Sequence, residues 1–117
     1  MPRARPHRNS HWKLLNIKGT SKNTCCCNSW LDHWYNYTGS NRETCAAVPC
    51  NNPAQVGAHV QIDDWRSDFS WWIAPLCHTH NRDRENKREM YLDQRATLVS
   101  ACVARTCQRG NWRWKIK

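Results

Sequence analysis

The chain has 117 residues, carries +9 from 18 Lys and Arg against nine Asp and Glu, and contains eight Trp and eight Cys. That length suits one domain with a modest core, and because much of its apolar content is Trp and Cys rather than aliphatic, support from metal or disulfides is expected. No run approaches the roughly 18 apolar residues that span a bilayer, and "MPRARPHRNSHWK" has no secretory h-region, so a soluble cytoplasmic protein with an anionic partner, nucleic acid first, is expected.

Residues 1–11 hold two Pro, three Arg and two His without apolar periodicity, the composition of a disordered basic arm. "HWKLLNIK" reads as a short strand and "GTSKNT" as a loop. In "NSWLDHWYNY", Trp30, Leu31, Trp34 and Tyr37 recur at helical spacing, with Ser29 and Asp32 placed like a capping box. A short amphipathic helix is predicted there. "VGAHVQI" alternates, with Val56, Ala58, Val60 and Ile62 on one face and Gly57, His59 and Gln61 on a polar one, as in a half-buried strand. "FSWWIAP" gives a second strand that Pro75 should end, and together the two make a hairpin.

"RDRENKREM" is too uniformly charged to own a buried face and reads as a solvated helix or a loop. "ATLVSACV" is a third strand. Basic residues gather at both ends, with Arg3, Arg5, Arg8 and Lys13 at one and Arg105, Arg109, Arg113, Lys115 and Lys117 at the other. Trp112 and Trp114 interleave with the last of these, which suits phosphate contact with base stacking, or equally a terminal strand packing its indoles inward. The expected division is a basic arm at 1–11, a zinc-binding domain at 12–110 and a basic aromatic tail at 111–117.

The chemistry-bearing residues are the cysteines and histidines. Cys45-x4-Cys50 and Cys77-x2-His80 are two short-spaced pairs separated by the hairpin, and four N/S donors from two such knuckles fill a tetrahedral zinc shell. Buried apolar thiols beside a surface histidine are the alternative. A second donor set is Cys25, Cys27, His33 and Cys107, with Cys26 and Cys102 as substitutes; a cysteine cluster that merely caps the helix is the competing explanation. One or two structural Zn2+ ions are therefore expected, their binding energy serving directly as folding energy.

The order of the Cys45–Cys50 pair, "GAHV" and "LCHTHN", from Cys45 to Asn81, resembles the zinc-knuckle HNH, or His-Me finger, endonucleases. That resemblance implies a degenerate ββα-metal arrangement in an α+β domain, with His80 in place of a knuckle cysteine, His59 as the general base, and Asn81 with Asp63 or Asp64 near a catalytic Mg2+ or Mn2+. The chain departs from the family pattern at Ala58, where an acidic residue is usual, and at Trp71 and Trp72, where the histidine's orienting Asn would stand. "CCCNSWLDHW", "VGAHVQI", "WIAPLCHTHN" and "TLVSACVARTC" are also similar to a group of small Cys/His-rich bacterial and viral proteins, a likeness that covers Cys25 to Cys107 and carries no activity. The expectation is a zinc-stabilised, HNH-like module that binds nucleic acid with weak or absent cleavage. An active metal-dependent endonuclease and a structural component of a viral or ribonucleoprotein assembly are the alternatives.

Overall fold

The computed structural model describes residues 3–6, 12–17, 24–63, 70–82 and 90–102. In chain order its elements are β1 (Arg3–Ala4), β2 (Lys13–Asn16), α1 (Trp30–Thr38), β3 (Ala47–Val48), β4 (Val56–Ile62), β5 (Trp72–Leu76), α2 (His78–Asn81), β6 (Met90–Leu92) and β7 (Leu98–Ser100). The strands form one sheet in the order β1-β7-β5-β4-β2-β6-β3. All its strand pairs are antiparallel. With one sheet and two short helices the fold is α+β, as expected from the sequence.

The predicted hairpin forms the centre of the sheet, with His59 opposite Ile73 and Ala58 opposite Ala74. Strand β5 runs through Pro75 rather than ending there. The ladder to β7 involves only Trp72 and Ile73, so Pro75 lies beyond the stretch where an N–H would be needed on that side. The stretch read as a disordered arm also departs from expectation: Arg3 and Ala4 pair with Val99 and Leu98. Backbone pairing there requires no apolar periodicity, which is why composition missed it. Of the charged run 82–90, residues 83–89 lie outside the described residues, as does the tail 111–117, and Met90 at the end of the run is buried and opens β6 rather than continuing a solvated helix or loop.

The sheet separates two packed layers. On one face Leu14, Val60, Ala74, Leu76, Leu92 and Leu98 build the larger cluster together with Cys45 and Cys77. On the other, α1 lays Trp34 against Ile73 and Val99, with Trp30, Tyr35 and Tyr37 partly buried around them.

Helix α1 forms where its sequence signals place it. The Ser29 hydroxyl accepts the Asp32 N–H at 3.0 Å, satisfying an orphan donor of the first turn. Gly39, at φ 65°, ends the helix and donates its N–H to the Tyr35 carbonyl, a left-handed cap that glycine adopts without strain. The Trp34 indole reaches across to the Thr97 carbonyl at 2.6 Å.

One residue of β4 sets how closely the helix can approach. A Cβ built on Gly57 would stand 2.3 Å from the Trp30 carbonyl carbon. The first turn of α1 thus rests directly on the strand backbone, and only glycine leaves room for it.

This layer overturns part of the sequence expectation. The alternation in β4 separates its two faces correctly, but the face bearing Gly57 and His59 is roofed by α1 and is not polar surface. His59 is 4% exposed, beneath Trp30.

Candidate metal centres

The first knuckle pair is delivered by the segment around β3, and the second by the end of β5 and the start of α2. Cys45 and Cys77 are buried, at 0% and 2% exposure. Cys50 and His80 are half-buried. The donor atoms of all four lie within 4.8 Å of one another. Among them, His80 Nδ1 is 3.2 Å from Cys77 Sγ and 3.5 Å from Cys45 Sγ, and Cys50 Sγ is 4.0 Å from Cys77 Sγ. Zinc with bonds near 2.3 Å to sulfur and near 2.0 Å to nitrogen requires ligand-to-ligand edges of about 3.5–3.8 Å in a tetrahedron. The set Cys45, Cys50, Cys77 and His80 fits a metal ion of that kind.

The surroundings suit thiolate ligands. At Cys77 burial by itself would raise the thiol. The backbone N–H and ring of His80, the Asn52 amide and the Cys45 thiol outweigh it and bring the group down to about 6. Cys45 goes the other way. Burial pushes it up to about 12 even though the backbone N–H groups of Cys77 and Ala47 point at its sulfur. A buried thiol in that state ionises readily only beside a cation, and a bound metal ion supplies one.

The loop bearing Cys45 is itself held. Arg42 donates from Nε to the Thr44 carbonyl and from Nη2 to the Cys45 carbonyl, each at 2.9 Å, and pairs with Asp93 Oδ2 at 3.0 Å. Asp93 in turn donates its backbone N–H to the Ala46 carbonyl at 2.7 Å. Burial works against the Asp93 carboxylate, but hydrogen bonds from Arg95 and Arg42 outweigh it and hold its pKa well below the usual carboxylate range. Second-sphere contacts of this sort fix where a ligand points. Sequence reading missed both residues. Arg42 lies three positions before Cys45 and was visible only as one more basic residue, and Asp93 belongs to no motif.

The second donor set is on the other face. Cys25, Cys27 and His33 bring their ligand atoms within 4.8 Å of one another, with Cys27 Sγ 3.9 Å from His33 Nδ1. The Asn36 amide donates to Cys27 Sγ at 3.3 Å. Burial raises the Cys25 thiol, and the adjacent Cys27 sulfur adds to that. Of the named substitutes, Cys26 is disulfide-bonded and Cys102 is exposed. Neither belongs to the described cluster, and Cys107 lies outside the described residues.

The residues that the HNH resemblance pairs for catalysis are not brought together. Asn16 faces Val60 in the β2–β4 register, and its amide donates to both the backbone and side-chain oxygens of Asn81. Asn81 therefore lies on the Val60 face of β4, whereas His59, the preceding residue, points to the opposite face. There its ring meets Trp30 edge-on at 4.6 Å and Trp71 at 6.1 Å. Burial, with a smaller contribution from His33, lowers the pKa of His59 to about 4. Asp63 is in an ion pair with Lys13 at 3.6 Å, and Asp64 lies outside the described residues.

Among the described residues no helix is long and apolar enough to cross a membrane. No family model, curated protein or solved structure matches the chain.

Proposed function

We propose that the chain is a zinc-stapled module, HNH-like in the order of its knuckles, that binds nucleic acid and does not cleave it efficiently. The observation that carries the zinc is the convergence of Cys45, Cys50, Cys77 and His80 at edges close to those of a tetrahedral ion. Zinc bound there supplies folding energy, because a site assembled from two separate segments exists only in the folded chain. The chain's own residues do the rest. Arg42 and Asp93 set the Cys45 loop, and the His80 backbone N–H directs the Cys77 sulfur.

Nucleic acid is the partner best suited to a net charge of +9 on 117 residues. Arg3 and Arg5 are exposed at the β1 edge of the sheet. The Trp71 indole is 42% exposed, an aromatic face of the kind on which bases stack. Cleavage is left out of this reading for a geometric reason. A general base must reach a water beside the scissile phosphate, and His59 is enclosed by indoles on the face away from Asn81.

Two measurements test the proposal. Zinc analysis of the purified protein should find the metal, and substitution of Cys77 by Ser should remove it from this site. Electrophoretic retention of a DNA or RNA fragment should weaken steeply as salt rises, because Lys and Arg displace counterions from the phosphates. Absence of retention at low salt would sink the nucleic-acid reading. Robust plasmid cleavage with Mg2+ or Mn2+ that His59→Ala abolishes would sink the non-catalytic one.

A further inference from the structure

Among the described residues the α1 face is the more thinly packed, and that is where the second donor set lies. Its cluster has three buried apolar residues among those described, Trp34, Ile73 and Val99, against thirteen on the other face. Helix α1 has nine residues, below the roughly 12–15 at which an isolated helix becomes even marginally stable. Its last turn carries no basic side chain to complement the helix dipole. The helix needs a tertiary anchor at its start, and Cys25 and Cys27 lie four and two positions before its N-cap Ser29.

The hydrogen bonding of His33 gives the cluster a direction. This ring is fully buried, at 0% exposure, and its Nε2 is 3.1 Å from the Ser100 carbonyl of β7. A carbonyl can only accept, so Nε2 carries the proton and Nδ1 presents a lone pair. Nδ1 is the atom that faces Cys27 Sγ. An imidazole whose far N–H is fixed on a backbone carbonyl while its near nitrogen is turned toward thiols has the tautomer and orientation of a zinc ligand.

We propose that Cys25 Sγ, Cys27 Sγ and His33 Nδ1 hold a second zinc ion, distinct from that at Cys45, Cys50, Cys77 and His80, which clamps the start of α1 to β7. Three protein donors leave the fourth tetrahedral position for water or another ligand. The chain from metal to sheet is short and continuous: two sulfurs before the helix, one ring within it, and the Ser100 carbonyl beneath. Losing the ion would free the first turn of α1 from Gly57 and expose the layer that encloses His59, while the knuckle centre on the opposite face kept its metal.

The test is the zinc-to-protein ratio of the full chain, followed by NMR on nitrogen-labelled protein loaded with NMR-active cadmium. Two zinc ions per chain are expected, falling to one in the Cys25→Ser, Cys27→Ser double variant. Scalar coupling to cadmium is expected at Nδ1 of His33 as well as on the ring of His80. One ion per chain, with coupling on His80 only, would overturn the second centre and leave the knuckle centre standing; a chain without metal would remove both. Coupling at Nε2 of His33 would overturn the assignment of the ring. If the double variant does not fold, the ratio and the coupling in the unsubstituted protein still decide.

Discussion

Among the described residues, the Cys45–His80 donors below the sheet sit with a core cluster of thirteen buried apolar residues, Cys45 and Cys77 included, whereas above it the buried cluster is Trp34 of α1 against Ile73 and Val99. The lower centre closes over two buried thiols, and its loop is tied down by Arg42 and Asp93. The upper one has a single fully buried donor, His33, in a layer made chiefly of rings: Trp30 meets His59 at 4.6 Å and His33 at 4.9 Å. Donor chemistry is similar on the two sides, but its mechanical setting is not. A metal bound in the denser core would add to packing that already surrounds it, whereas one bound beside the short helix would tie it where fewer of the described apolar side chains are buried.

The largest effect that can break this comparison is removal of metal. Structural zinc is worth about 10–16 kcal/mol in small zinc-dependent folds, so a strong chelator should unfold the chain, as read by loss of far-ultraviolet dichroism. A fold that survives with all metal gone would show that packing alone suffices on both faces. Weaker chelation should strip the α1 face first, because Cys25 and Cys27 are both partly exposed whereas Cys45 and Cys77 are buried.

Gly57→Ala addresses the α1 face alone. The added methyl would stand 2.3 Å from the Trp30 backbone, and overpacking of that severity costs about 3 kcal/mol or more. Chemical denaturation should register the loss while zinc remains at the knuckles. A variant as stable as its parent would mean that the helix is not seated on the strand.

Acid provides a graded version of the same attack. His59 has its pKa lowered to about 4 in the folded chain, while an unfolded histidine titrates near 6.5. Below about pH 6.5 the unfolded state takes up a proton that the folded state refuses. Stability is therefore complete above that pH and declines toward pH 4, by about 3 kcal/mol in all. The difference in slope between the parent chain and His59→Gln isolates this from protonation of the metal ligands, which both share. Equal slopes would place His59 in a wetter site than the one described.

Arg42→Ala should cost about 2 kcal/mol, the usual loss for hydrogen bonds from a charged group. It should also speed zinc release from the knuckles without affecting α1. The mildest change is Ser29→Ala, which removes the N-cap of α1 and should cost about 1 kcal/mol. Its effect belongs to the upper layer, so zinc release below the sheet should stay at the parent rate.

The elements that the sequence determined by itself are those with local causes. Helix α1 carries its own N-cap at Ser29 and its stop at Gly39, and β4 and β5 are adjacent runs whose pairing needs only a turn between them. The pairs Cys45–Cys50 and Cys77–His80 were legible because a metal shell draws on residues a few positions apart. β6, by contrast, follows a charged run with no strand pattern, and its pairing with β2 and β3 comes from distant segments.

Tertiary structure alone decided what lies over each face. Alternation in "VGAHVQI" distinguishes two sides of a strand but says nothing of what covers them, so a position that reads as polar surface became the floor beneath a helix. The same limit applies to His59 and Asn81. Their order along the chain fits one catalytic site, but a strand sends successive side chains to opposite faces, and the Asn16 amide holds Asn81 on the face that His59 does not share. The Arg42–Asp93 pair joins residues 51 positions apart. A contact over that separation leaves no trace in local spacing, because it exists only once the sheet has brought the two segments together.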